Sequence, residues 1–300
     1  MGLREKLGEQ FVLTTELGGT NGTDVAKSLE DARAYHHIDA LNTIDCASAR
    51  LRMNAFMVGY LIQRELGIEV IPHLTCRDRS ILGLQADLLG AHALGLRAVL
   101  ATTGDPPSAG PYPSKAVYDV NSVRLIKMIA DLNRGVDYNG DQINGHTDFL
   151  IAAVAAPAAP NLDAVARNVE RKKEAGAHFI QTQPMFDVAQ TRAFLEKVRP
   201  LGLPILVGVM PLRGLKMAEF MNKEVEGVSI PQPVIERLKG GTTGVQIAQE
   251  FVEELHGEVD GFHIMSMGNV KATNEIIDHL VKLVKVGRGY RLRAELETGS

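Results

Sequence analysis

The sequence predicts an α/β fold of a single domain spanning residues 1–300, a (β/α)8 TIM barrel. Three observations carry this reading. Eight short apolar segments alternate with helical patterns along the chain, and such alternation calls for a parallel sheet whose eighth repeat allows closure. The length of 300 residues suits a barrel of about 250 residues with insertions. No GxGxxG stretch follows any of the apolar segments, which makes a doubly wound dinucleotide fold the weaker choice.

The elements follow in order. The first strand is read at residues 11–17, FVLTTEL, and stops at Gly18-Gly19. A helix is expected from about Thr23, because Thr23 and Asp24 are cap-type residues and Val25, Leu29 and Ala32 share a face. The second strand is read at 38–45. Its helix carries Met53, Met57, Tyr60 and Leu61, a stripe that reads as core packing. The third strand, 69–76, leads into a helix containing Ile81, Leu84, Leu88, Ala91 and Leu94 and closed by Gly95.

The fourth strand is AVLATT at 98–103, with the composition of a strand buried on both faces. It must stop at Gly104-Asp105-Pro106-Pro107, since proline cannot donate to a ladder. A loop rich in glycine and proline precedes Asn121-Ser122 and a helix through Leu132, and the polar segment 136–147 reads as an excursion. The fifth strand is read at 149–155, with a helix over 162–175 ended by Gly176. The sixth, 179–186, is followed by a helix capped by Asp187. The seventh, 204–212, precedes a helix around Ala218 and Phe220. A helical insertion at about 226–258 separates it from the eighth strand, 261–267, and the last helix runs from about Lys271 to Val284. Residues 297–300 read as a disordered end.

Composition excludes several function classes. The net charge of −4 is mild and the 32 Lys and Arg residues are dispersed, so no nucleic-acid face is expected. Trp is absent and aromatics make up 5%, which argues against a base-stacking platform. Two cysteines, Cys46 and Cys76, are too few for a disulfide framework or a thiolate metal cluster, and they suit a reducing compartment. No signal peptide or membrane-spanning run is read. The expectation is a cytoplasmic protein.

The chemistry is expected where the strands end. Asp105 stands at the carboxyl end of a central strand, the place where parallel α/β folds build active sites; an aspartate beside Gly and Pro is equally at home in a turn. In a barrel the other strand ends converge on the same face. The first offers Glu16, the second Asn42 and Asp45, the third His73 and Thr75, the sixth Gln181 and Gln183, and the eighth His263 and Ser266. Together they describe a polar, hydrogen-bonding pocket. No Ser or Cys sits on a nucleophile elbow, and the His and Asp positions do not repeat at ligand spacing, so no metal is expected. Taken singly, His73 reads as a satisfied core histidine, and Lys172, in the run ERKKE, as a solvated helix face. Glu16 inside an apolar strand is different, because a buried carboxylate needs a partner or a raised pKa, both typical of functional acids.

Several motifs, taken together and in order, resemble the methylenetetrahydrofolate reductase family. They are Glu16 at the end of the first strand, PHLTC at 72–76, TGDPP at 103–107, TQPMFD at 182–187, GVMPL at 208–212 and NKEVEGVSIP at 222–231. The spacings are those of the bacterial form that consists of the catalytic domain alone, closest to the branch also found fused to homocysteine methyltransferase. The resemblance implies a (β/α)8 barrel with a flavin, FAD or FMN in its place, that reduces methylenetetrahydrofolate with hydride from NADH, NADPH or a redox partner subunit. Carried over by position, Glu16 is implied as the general acid and Asp105 as the carboxylate beneath the flavin and beside the pterin. Gln183 is implied as the amide on the folate, Phe220 as the aromatic covering nicotinamide or folate, and Asn42 as a further substrate contact. The flavin is implied to meet His73, Thr75, Thr103, Gly104, Asp105, Tyr118, Asp119, Asn121 and Lys172. A homo-oligomer is expected.

The chain departs from the family pattern in three places. Gly18-Gly19 replaces a proline pair, VAAPAA at 154–159 lacks the Tyr and His that grip the adenine half of FAD in some relatives, and Asn269 stands where a basic residue is expected, with Lys271 nearby. Two rival readings stay open at the level of sequence. One is a flavin-free, pterin-binding methyltransferase barrel; the other is a non-catalytic barrel subunit that docks a redox partner.

Overall fold

Eight parallel strands pair in sequence order and close on themselves. They are Val12–Leu17 (β1), Ala40–Thr43 (β2), Val70–Thr75 (β3), Ala98–Thr102 (β4), Leu150–Ala155 (β5), Phe179–Pro184 (β6), Ile205–Val209 (β7) and Gly261–Ile264 (β8). The structure is a computed structural model that describes residues 2–225 and 227–286; the end expected to be disordered, 297–300, lies outside the described residues. Closure is made by β8, which pairs with β7 on one side and with β1 on the other, placing His263 beside Thr14.

The helices are Leu3–Lys6 (α1), Ala26–Ala34 (α2), Ala55–Leu66 (α3), Ile81–Ala93 (α4), Ser122–Asn133 (α5), Leu162–Ala175 (α6) and Val188–Val198 (α7). Leu215–Glu224 (α8), Gln232–Lys239 (α9), Gly244–Leu255 (α10) and Val270–Val286 (α11) complete the set. Side-chain caps start many of them: Asn54, Ser80, Asn121, Asn161, Asp187 and Thr243 each accept an otherwise orphaned backbone N–H of the first turn.

Strand periodicity sorts side chains between two cores. Outward positions such as Leu13, Leu41, Leu74, Val99, Ile151, Ile180, Val207 and Phe262 join the helices in the larger core. Inward positions at the amino ends, Val12, Ala40, Ile71, Ala98, Leu150, Phe179 and Leu206, fill the barrel floor. Leu3 of α1, 1% exposed, plugs that floor. Below it, Lys6 Nζ meets Asp39 at 2.6 Å with both side chains buried. The sequence reading missed α1, a single turn too short to show a period. Further along the same inward columns the side chains turn polar, and there the barrel holds Thr14, Glu16, Asn42, His73, Gln181 and His263.

Several expected boundaries shorten or shift. The second strand pairs only over Ala40–Thr43, because Asp39 is engaged with Lys6 and the chain turns left-handed at Cys46 (φ 47°). The seventh stops at Val209, before Pro211 would break the ladder, and the eighth at Ile264, before the left-handed Met267. The first full helix begins at Ala26 rather than near Thr23; Asp24 instead accepts the Ala26 N–H at 2.9 Å as a local turn. Met53 lies ahead of α3, and Met57 is 44% exposed because α3 buries the opposite face through Ala55, Phe56, Val58, Gly59 and Ile62. Of the expected stripe, Met53 and Tyr60 pack against the larger core, whereas Met57 faces away from it. Leu94 follows the end of α4 and is also exposed. The insertion is two helices, α9 and α10, broken at Gly240-Gly241 and restarted by the Thr243 capping box.

Candidate active site

The polar layer inside the barrel is one continuous hydrogen-bonded chain. Asn42 Nδ2 donates to His73 Nε2 at 2.9 Å and to Gln181 Oε1 at 2.8 Å. Gln181 Nε2 donates back to Asn42 Oδ1 at 3.3 Å and onward to Thr14 Oγ1 at 3.2 Å. Thr14 Oγ1 meets His263 Nδ1 at 2.9 Å, and His263 Nε2 lies 3.8 Å from Glu16 Oε2. Thr14, Asn42, Gln181 and His263 are all buried, so their polar atoms must be satisfied within the set. Burial pushes the His73 imidazole down to about 4. A neutral ring accepting at Nε2 carries its proton on Nδ1.

Glu16, the last inward residue of β1, is 8% exposed at the top of this layer. Its backbone carbonyl is clamped by Ser266 Oγ at 2.9 Å and by the Tyr35 hydroxyl at 3.3 Å. The backbone beneath the carboxyl is thus fixed from β8 and from the end of α2. Directly after it, Gly19 takes φ 60°, a value closed to proline. The local backbone therefore has no place for proline at 19.

A second group gathers at the end of β4. Asp105 is exposed, and its carboxylate accepts the Ser48 N–H at 2.6 Å from the loop after β2. That loop carries three left-handed non-glycine residues, Cys46, Ser48 and Ala49 (φ 47°, 53° and 49°), a conformation that costs energy and persists only when neighbours enforce it. Arg77, 2% exposed, is one such neighbour: its guanidinium donates to the carbonyls of Cys46 and Asp105 and to the Asp78 carboxylate. Asp45 holds the loop from below, accepting from Thr75 Oγ1 at 2.8 Å and from Arg79 at 2.7 Å. Gly104 adopts φ 87°, and a Cβ there would lie 2.8 Å from Thr75 Cβ, so only glycine fits. Tyr118 closes the group by donating its hydroxyl to the carbonyls of Gly104 and Asp105.

Beside this end of the barrel lies a cavity of about 570 Å³ between the ends of β4, β5 and α6. Thr103, Ala156, Asn161, Asn168, Lys172 and Gln183 line it. Lys172 is 7% exposed and donates to the Val154 carbonyl at 2.6 Å. Among the described residues it has no carboxylate partner, and burial lowers its ammonium to about 8. A buried cation on a mostly small-residue cavity presents an unspent charge to an anionic ligand.

The expected site residues thus separate into three groups. Glu16, Asn42 and His73 share the polar chain; Thr75, Thr103, Gly104, Asp105 and Tyr118 share the β4 end; Lys172 and Gln183 share the cavity with Thr103. Asp119 and Asn121 act on helix starts, Asp119 accepting the Ile81 N–H and Asn121 that of Arg124. Phe220 stands on α8, 60% exposed. Sequence reasoning did not single out Thr14 or Arg77. Thr14 was signalled only by its place two residues before Glu16 on the same strand, and Arg77 by the charge-rich CRDRS that follows the third strand.

Comparison with known proteins names the family. The family model described as methylenetetrahydrofolate reductase matches residues 19–281. The chain belongs to the methylenetetrahydrofolate reductase family. Among curated relatives, methylenetetrahydrofolate reductase 1 of Schizosaccharomyces pombe is 29% identical over 188 residues, 59% of this chain and 28% of that protein. The 5,10-methylenetetrahydrofolate reductase of Buchnera aphidicola subsp. Schizaphis graminum is 26% identical over 200 residues, 65% of this chain and 62% of that one. The enzyme of the same name from Escherichia coli is 28% identical over 184 residues, 60% and 56% of the two chains. The chain therefore spans between about a quarter and three fifths of the length of these relatives.

A solved structure of an uncharacterized protein from Clostridium thermocellum, which binds two copies of 5-methyl-5,6,7,8-tetrahydrofolic acid, superposes with a TM-score of 0.65. It is 16% identical and covers 92% of this chain and 96% of that one, a likeness of fold. Within the reductase family match lie His73, Asp105, Lys172 and Gln183; Glu16 precedes its first residue, 19. At the third departure from the family pattern, Asn269 caps α11 by accepting the Ala272 N–H at 3.1 Å. The cation near it is Arg213, on the loop after β7, which donates to the Met267 carbonyl. Among the described residues no group of His, Cys, Asp and Glu side chains is arranged to hold a metal ion, and no helix is long and apolar enough to cross a membrane.

Proposed function

We propose that this chain reduces 5,10-methylenetetrahydrofolate to 5-methyltetrahydrofolate with the help of a bound flavin. The observation that carries the reading is the buried Glu16 carboxyl, held at the mouth of a barrel above a layer of hydrogen-bonding side chains. The family and the folate bound by the Clostridium thermocellum protein support it.

The residues fit a flavin. Lys172 faces the cavity as a buried cation suited to a phosphate, while Gly104 leaves the β4 end free of a side chain where a flat ring must approach. FAD or FMN, when bound, supplies a two-electron hydride store that no side chain can provide. NADH, NADPH or a redox partner subunit is the source of the hydride.

The chain's own residues then have separable tasks. Glu16 holds a proton on its carboxyl and delivers it to a bridge nitrogen of the folate, opening the five-membered ring to an iminium cation. Asp105, ionised and presented on the rigid β4 turn, stabilises that cation by charge. Gln183 holds the pterin by an amide hydrogen bond and Phe220 closes over it from α8, while Asn42, buried with its amide engaged by His73 and Gln181, supports the substrate site from beneath. His73, Thr75, Thr103, Tyr118, Asp119 and Asn121 shape the wall beside the flavin, partly through the loop contacts described above. For assembly, α4 supports a homo-oligomer, since Leu82 and Leu89 on its outer face are 76% and 42% exposed.

The test is to release any bound flavin by heat, identify it by mass, and titrate the reconstituted protein anaerobically with NADH and then with methylenetetrahydrofolate. The expected result is bleaching by the first and recovery of the oxidised spectrum by the second, with methyltetrahydrofolate formed. A protein that binds neither FAD nor FMN would overturn the proposal.

A further inference from the structure

From Gln181 onward the buried chain has a direction, and that direction ends on Glu16. Gln181 Nε2 donates to Thr14 Oγ1, so the hydroxyl already accepts one hydrogen bond. Its own proton has one neighbouring acceptor among those described, His263 Nδ1 at 2.9 Å. Thr14 is fully buried, so leaving that proton unpaired would be costly. His263 Nδ1 is therefore the acceptor, and the ring carries its proton on Nε2. That N–H faces Glu16 Oε2 at 3.8 Å.

This separation is too long for a hydrogen bond. The contact does not consume the carboxyl proton, but it sets a donor dipole against one oxygen of the pair. A proton on that oxygen would meet the imidazole N–H head on. We propose that His263 is a positioning residue for Glu16: the amide chain locks its ring as the Nε2–H tautomer, and the transferable proton of Glu16 is thereby kept on Oε1. The inference rests on the proposed role of Glu16 as proton donor. The chain orients and does not conduct, because the amides of Asn42 and Gln181 do not titrate and cannot pass a proton along. The ionisable groups around it include Glu16 on β1, Tyr35 after α2, Asp45 after β2 and His73 on β3, and His73 is held neutral by burial at the far end.

The test uses the flavin-loaded protein labelled with 15N-histidine, in which two-bond 15N–1H correlations read each ring tautomer. The expected result is Nε2–H for His263 and the opposite tautomer, Nδ1–H, for His73. In Thr14→Val, a near-isosteric change that removes the hydroxyl donor, His263 should become a mixture of tautomers. Flavin reoxidation by methylenetetrahydrofolate should then slow by about ten- to a hundredfold, the usual cost of a misplaced catalytic group. Flavin reduction should stay within a few-fold, and Thr14→Ser should restore both readouts. In Glu16→Gln the His263 Nε2 signal should shift.

An Nδ1–H tautomer in the wild-type protein overturns the proposal. So does an unchanged folate half-reaction in a Thr14→Val protein whose tautomer has changed, and so does a His263 signal unmoved by Glu16→Gln. That last arm decides the matter even where Thr14→Val fails to fold. A wild-type protein with the expected tautomer and the expected Glu16→Gln shift, but with no folate-driven reoxidation, refutes the parent reading while leaving the His263–Glu16 contact standing.

Discussion

Lys172 should make the protein less stable than it need be. Its ammonium falls from the ordinary 10.5 to about 8 through burial, which places the cost of the buried charge at about 3 kcal/mol. The hydrogen bond to the Val154 carbonyl returns about 1.5–3 kcal/mol, the range for a charged donor. Lys172→Met keeps the apolar stem and removes both effects, so at pH 7 the flavin-free variant should be up to about 1.5 kcal/mol more stable than the wild type. The pH dependence is the sharper readout. Between about 8 and 10.5 the unfolded chain binds the Lys172 proton and the folded chain does not, so wild-type stability rises with pH across that window. The variant's advantage is full below pH 8 and should turn into a deficit as pH approaches 10.5, a net change of about 3 kcal/mol. Urea unfolding of both proteins at matched pH values cancels every other titrating group. Added FMN should raise the wild-type midpoint and leave that of the variant unmoved. A gap that is constant from pH 7 to 10.5, or a variant stabilised by FMN as much as the wild type, would refute the account of Lys172 as an unspent buried cation.

Further outcomes are expected at Glu16, at two glycines and at His73. Glu16→Gln should leave stopped-flow flavin reduction within a few-fold but slow reoxidation by methylenetetrahydrofolate by at least about a hundredfold, as loss of a general acid does; equal loss in both halves would make Glu16 structural. Gly104→Ala should lower unfolding stability by about 1–3 kcal/mol from its left-handed backbone and the Thr75 clash. Gly18→Ala, where a Cβ meets nothing within 4 Å, should change it by less than about 0.5 kcal/mol. His73, with its imidazole lowered from 6.5 to about 4, should cost stability as pH falls through that interval, by up to about 3 kcal/mol. His73→Gln, which keeps an acceptor for Asn42, should flatten that acid limb in urea melts run from pH 7 to pH 4.5.

The barrel was legible because its signals are local. Each strand is a short apolar run, and Gly18-Gly19 and Gly104-Asp105-Pro106-Pro107 mark ends that any partner strand would have to respect. Period-two alternation also sends Glu16 to the inside once Val12 is known to be inside. What escaped the sequence depends on distant partners. Thr14 reads as an ordinary strand threonine until closure places His263 beside it, and Arg77 reads as one more charge until the loops after β2 and β4 come within its reach. Lys172 shows the same limit: its spacing in ERKKE describes a solvated face, and only the packing of α6 over β5 buries it. Met57 failed in the other direction, since a methionine at helical spacing says nothing about which arc of the helix meets the core.

Closure of the barrel by β8 also sets a timetable. Thr14 and His263 are 249 residues apart, and at about 5–20 residues per second of synthesis the second follows the first by roughly 12–50 s. Through that interval β1 has β2 on one flank and an open row of N–H and C=O groups on the other, a sticky edge of the kind that recruits other strands. The clamp of Ser266 on the Glu16 carbonyl and the approach of His263 to its carboxyl arrive with the same late segment. The acid is thus made well before its surroundings, and through that interval the nascent chain carries an unsealed sheet with no working centre.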